Sequence, residues 1–163
     1  MAVPPSRYGG IEWVVSGLAD GLVDAGHEVT LLASGGSTTR AKLETVFDEP
    51  PFEQLGDARI EAIQALTAYR RRNDFDIIHA HDWLTYAAGI AAKAVSGKPL
   101  VVHMHATEFD RSGQNVNQQV YDIERYGMHE ADLVIAVSNL TRNIVIERYG
   151  VDPEKVITVH NAV

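Results

Sequence analysis

The sequence contains no cysteine. That absence excludes structural disulfides, thiol nucleophiles and thiolate-ligated zinc. Cationic residues are scarce: 14 Lys and Arg stand against 22 Asp and Glu, a net charge of −8. Nonspecific nucleic-acid binding needs a basic face, so this balance argues against it. A nucleotide held by backbone amides stays open. No apolar run reaches the ~18 residues of a membrane span. The opening MAVPPSRYGG has neither a charged n-region nor an apolar h-region, which points to a cytoplasmic protein. Internal repeats and low-complexity tracts are lacking too. At 163 residues the chain fits one domain, 1–163, and is too short for a TIM barrel.

Helical patterns alternate with short β-rich runs. After Gly9-Gly10, the residues Ile11, Val14, Val15, Leu18 and Leu22 recur at helical spacing, and Gly26 marks a stop. Strands are predicted over 28–34, 76–82, 99–106, 132–137 and 156–162. Helices are predicted over 59–72, 84–95 and 118–130, and from an N-cap at Ser138 to Tyr149. Residues 35–56 read as a long loop with room for a short helix or strand, and 107–117 as a polar loop. Near-continuous apolar strands are buried on both faces. The expected fold is therefore α/β: a Rossmann-like, doubly wound parallel sheet with helices on both faces. Such a sheet normally opens with a strand, but Pro4-Pro5 makes the opening segment a poor one. The first strand is expected to be missing.

Ligands of open α/β sheets bind beyond the carboxyl ends of the strands. Gly9-Gly10 opens a helix there, where free N–H groups and a partial positive charge suit a phosphate. A plain tight turn is the alternative. His79, His81, His103 and His105 fall on two neighbouring strands, and a period of two sets each pair on one face. Three readings stand: a zinc-type metal site, a metal-free polar site, or hydrogen-bonded core histidines at 79 and 103 with 81 and 105 facing a cleft. Asp82 beside Trp83 suits a sugar, the carboxylate taking hydroxyls and the ring packing on C–H faces. Asp82 is equally good as a helix N-cap. The polar stretch 107–117, with Glu108 and Arg111, suits a polyhydroxylated ligand or is a solvated loop. Trp13 falls off the apolar stripe of its helix.

Taken in order, these motifs resemble the N-terminal half of a GT-B glycosyltransferase. The group is the retaining, family 4 type one that includes glycogen and starch synthases. Pro4 to Glu12 looks like its opening glycine loop. His79-Ala80-His81-Asp82-Trp83 matches the HAHDW string of glycogen synthases. Val102 to Ala106 is similar to the strand ending in the group's active-site histidine, here His105. Ala136-Val137-Ser138 and Val159-His160-Asn161 match strand ends near the domain junction.

The resemblance implies transfer of a sugar from a nucleotide-sugar donor to a carbohydrate or other hydroxyl acceptor, with retention and with no metal or other cofactor. It implies catalytic roles for His105 and Asp82, donor binding by Gly9, Gly10 and Ser138, and acceptor binding by Tyr8, Trp83, Glu108 and Arg111. The C-terminal domain that carries the nucleotide pocket in this group is not in the sequence, so the chain is expected to be inactive alone. Two charge-assisted hydrogen bonds from a glycine loop contribute ~1.5–3 kcal/mol each. A millimolar complex takes ~4 kcal/mol. Donor binding by this half alone is expected to be millimolar or weaker. An uncovered sheet edge left by the first strand favours a homodimer. Two other readings compete: a noncatalytic sugar- or nucleotide-binding module, and a metal hydrolase built on the four histidines.

Overall fold

The computed structural model describes residues 3–5, 10–45, 63, 66–67, 70–71 and 73–161. The chain divides into two compact units, Met1–Gly56 and Asp57–Val163.

In the first unit, α1 spans Gly10–Asp24, followed by β1 (Thr30–Ala33) and β2 (Lys42–Thr45). The strands pair in parallel, with Thr30 opposite Lys42 and Ala33 opposite Thr45. β2 lies inside the stretch expected to be mainly loop. Its four residues, KLET, are too few and too polar to show a strand period. Burial on α1 is also rotated from the apolar stripe. Glu12, Ser16 and Ala19 are the buried positions, while Ile11, Val14, Val15 and Leu18 are only partly covered. Trp13 is exposed, as its position off the stripe implied. The loop before β2 is tied to α1 by Arg40, which pairs with Asp24 and Asp20. Among the described residues no strand precedes α1. Most of the helix predicted over 59–72 lies outside the described residues; 63, 66, 67 and 70 are helical.

The second unit alternates strands and helices. β3 (Ile78–His81), α2 (Trp83–Ser96), β4 (Leu100–Met104), α3 (Glu108–Ser112) and α4 (Gln118–Glu130) come first. Then follow β5 (Leu133–Ala136), α5 (Asn139–Tyr149), a 3-10 turn (Pro153–Lys155) and β6 (Val156–Thr158). All four strands are parallel and lie side by side in chain order. This is the parallel α/β architecture expected from the apolar strands. One cross-strand row, Ala80–Val102–Val134–Val156, is buried and packs with Tyr86, Met128, Val145 and Tyr149 from the helices. Each large apolar side chain fully buried in this way contributes ~1.5–3 kcal/mol. The neighbouring row, His81–His103–Ile135–Ile157, falls on the opposite face, because strand side chains alternate.

Element ends follow the local chemistry. Gly97 and Gly150 end α2 and α5 in the left-handed conformation, where a side chain is disfavoured. Ser138 caps α5 by accepting from the Thr141 amide. The segment expected to be a polar loop instead contains α3, closed by a capping box between Thr107 and Asp110. Small residues let the helices approach closely. A Cβ placed on Gly127 would lie 2.3 Å from the Tyr86 ring, and one on Gly89 would lie 2.9 Å from Leu100.

Candidate active site

The carboxyl ends of β3 and β4 carry the four histidines. His81 and His103 are register partners on adjacent strands, so all four rings project from one sheet face. The rings stack: His79 and His81 centroids are 4.3 Å apart, as are those of His103 and His105. His81 Nδ1 and His105 Nε2 are hydrogen-bonded at 3.1 Å, one ring supplying the proton and the other the lone pair. Burial, reinforced by the neighbouring imidazoles, lowers the pKa of His81 to about 2, of His103 to about 3 and of His105 to about 4. Burial lowers that of His79 as well. Near neutral pH the cluster is uncharged. Of the three readings, the one with His79 and His103 as hydrogen-bonded core residues is not borne out. Both nitrogens of His103, and Nε2 of His79, are buried without a partner.

The strand ends are pinned from below. The Thr85 hydroxyl donates to His81 O at 2.8 Å, and the Tyr86 hydroxyl to His103 O at 3.3 Å. Asp82 follows β3 and caps α2, its carboxylate accepting from the Trp83 amide at 2.8 Å. Its φ of 62° is the one positive value among described non-glycine residues, a strained conformation that such sites often hold. Burial raises the Asp82 pKa; the Trp83 amide and Arg111 act against that rise. Trp83 is partly buried and packs on the core.

Arg111 is the centre of a second layer. Its Nη1 donates to Ala106 O at 2.6 Å and lies 3.8 Å from Asp82 Oδ1. Its Nε lies 3.4 Å from Glu108 Oε2, and its Nη2 bonds Glu124. Glu124, fully buried, also accepts from the Tyr149 hydroxyl and from the Glu108 amide. Glu108 is buried, with Oε1 taken by the Asn117 amide at 2.9 Å; that bond leads the causes that lower its pKa. Burial opposes the charge of Arg111, yet its carboxylate neighbours hold its pKa above the ordinary range.

The second unit thus brings together His105, Asp82, Trp83, Glu108 and Arg111. Ser138 sits at the carboxyl end of β5 as a cap, and Gly10 is the first residue of α1 in the other unit. Tyr8 and Gly9 lie outside the described residues. Sequence reading missed Glu124 and Tyr149. The available signal was helical phase: Glu124 shares the stripe of Tyr121 and Met128 at i−3 and i+4, where a carboxylate must find partners. A cleft of about 450 Å³ lined by Phe109, Ile144 and Arg148 includes none of the histidines.

Residues 8–163 match the sequence profile described as Glycosyltransferase Family 4. Among curated relatives, an uncharacterised glycosyltransferase of Methanocaldococcus jannaschii is 24% identical over 98% of this chain and 44% of its own length. A glycogen synthase of Mycobacterium tuberculosis is 26% identical over 98% of this chain and 46% of its own. The chain spans less than half the length of both. Among solved structures, Anabaena HepE in complex with UDP-glucose superposes with a TM-score of 0.70 at 18% identity, over 98% of this chain and 42% of that one. Sucrose-phosphate synthase from Thermosynechococcus elongatus gives 0.71 at 14% identity, over 95% and 43%. Among the described residues no helix is long and apolar enough to cross a membrane. With the family profile matched almost from end to end, and a parallel α/β fold shared with these structures, the chain belongs to glycosyltransferase family 4.

Proposed function

We propose that the chain is the acceptor-side domain of a retaining glycosyltransferase that moves a sugar from a nucleotide-sugar donor to an acceptor hydroxyl. The observation that carries this reading is the hydrogen-bonded pair of neutral imidazoles, His81 and His105, at the carboxyl ends of adjacent parallel strands and next to Asp82. Parallel sheets place ligands at that edge. The Anabaena structure, with UDP-glucose bound, supports a nucleotide-sugar donor.

With its pKa near 4, His105 is neutral at pH 7 and serves as a hydrogen-bond partner to the donor sugar rather than as a cation. His81 fixes its ring orientation and tautomer. Asp82, held in a strained cap, contacts the same sugar. Ser138 and, by the family resemblance, Gly9 and Gly10 contribute to the donor side. Trp83 and Tyr8 receive the acceptor, while Glu108 and Arg111 hold the loop behind Asp82. Charge on the departing phosphate is stabilised by preorganised dipoles, typically the largest catalytic contribution. The nucleotide pocket belongs to a second domain, so this chain alone transfers no sugar and binds donor no more tightly than millimolar.

The test supplies the chain with the C-terminal half of the mycobacterial relative and follows transfer from labelled UDP-glucose or ADP-glucose by NMR. Product with the donor's anomeric configuration, absent when either half is omitted, is the expected outcome. Turnover by the chain alone, or an inverted product, refutes the reading.

A further inference from the structure

We infer that His79, His81 and His103 form a binding site for a first-row divalent transition metal, zinc in the first instance. The site shares His81 with the proposed transfer site, so zinc bound there competes with the bond that orients His105. Their ligand nitrogens all lie within 4.8 Å of one another on one sheet face. His103, 5% exposed, leaves both ring nitrogens unpartnered, and Nε2 of His79 is likewise buried and unpartnered. Buried polar atoms without partners are rare and costly, and a bound ion removes that cost. The donor set is chemically suitable, since imidazole nitrogens ligate zinc, nickel and copper.

Zinc–nitrogen bonds of ~2.0–2.1 Å in a tetrahedron set ligand nitrogens about 3.4 Å apart. The rings therefore close by up to about 1.4 Å from the present spread, a movement within the broad χ2 range of histidine. Adjacent parallel strands hold the three Cα atoms in register, so most of the ordering is already in place. A fourth position is left for water or for His105, whose bond to His81 would be exchanged for the metal. The residues of this face further along the row, Ile135 and Ile157, offer no competing donor.

Equilibrium dialysis of the full chain against Zn²⁺, with metal content read by elemental analysis, tests the site. One equivalent at micromolar affinity is expected, with at least a tenfold loss in His103→Val. Two-bond ¹⁵N correlations of the imidazoles in the native chain provide a second readout that does not depend on a variant folding. Zinc should shift the nitrogens of His79, His81 and His103 and leave those of His27, His129 and His160 in place. No binding at 100 µM metal, a site at the latter three histidines, or affinity unchanged in a folded His103→Val chain overturns the inference.

Discussion

Tyr149, the last residue of α5, donates its hydroxyl to Glu124 in the middle of α4 at 2.5 Å. The same carboxylate accepts from the Glu108 amide at the start of α3 and from Arg111. One buried side chain thus joins three helices behind the strand ends. Burial raises the pKa of Glu124, and the hydrogen bonds from Tyr149, Glu108 and Arg111 counter that rise.

Removing the cation from this network should be expensive. Arg111→Leu leaves Glu124 buried without its ionic partner, and such breaks cost about 3–5 kcal/mol. Tyr149→Phe removes a hydroxyl that donates to Glu124 and accepts from the Glu108 amide, and should cost about 1–3 kcal/mol. Arg111→Lys should restore little, since one ammonium cannot reach Ala106, Glu108 and Glu124 together. Urea unfolding midpoints check all three.

The proposed role of His105 gives a kinetic expectation. In an enzyme reassembled with its C-terminal half, His105→Ala should lower kcat by about 10²–10³, the effect typical of losing one preorganised donor. His81→Phe, which removes the orienting bond while keeping an aromatic ring in the stack, should lower kcat less and leave the donor KM nearly unchanged. Steady-state kinetics with saturating acceptor separate the two.

Gly127 is fixed by contact rather than by backbone angle. A methyl group there would overlap Tyr86, itself fully buried. Gly127→Ala should destabilise by about 1–3 kcal/mol despite alanine's better helix propensity. Pairing it with Tyr86→Leu should recover part of the loss, so a double-mutant cycle should give a non-zero coupling.

The histidine cluster also sets a pH dependence. Each folded-state pKa lies below the ordinary 6.5, so the unfolded chain binds more protons in the intervening window. The stability this contributes is complete above about pH 6.5. It is lost as pH falls toward 4 for His105, 3 for His103 and 2 for His81. Each such group contributes about 1.4 kcal/mol per pH unit within its window. Asp82 and Glu124, whose pKa values are raised, act with the opposite sign. The difference between native and His103→Val chains isolates the imidazole part. Chemical denaturation between pH 4 and 8 should show a shallower fall for the variant.

Much of this was legible in one dimension. Runs such as PLVVHMHA and DLVIAV read as interior parallel strands, because apolar residues fall on both faces over most of their length. Asp82, Ser138, Gly97 and Gly150 mark helix ends by chemistry that acts over three or four residues. Proximity of the strand-end histidines followed from the period of two and the adjacency of consecutive parallel strands.

Other features needed three dimensions. β2 is too short to carry a pattern, and the buried side of α1 is decided by what it packs against rather than by its own apolar stripe. The role of Glu124 depends on Arg111 and Tyr149, 13 and 25 residues away along the chain. Orphaned nitrogens on His103 are likewise invisible in a string of letters, since a partner is a matter of position. The sequence by itself determined the fold class, the place of most strands and the cap residues, because those depend on local periodicity and backbone preference. Only the tertiary structure decided which polar side chains are paired and which are left buried without partners, because hydrogen bonds and desolvation depend on distances between segments remote in the chain.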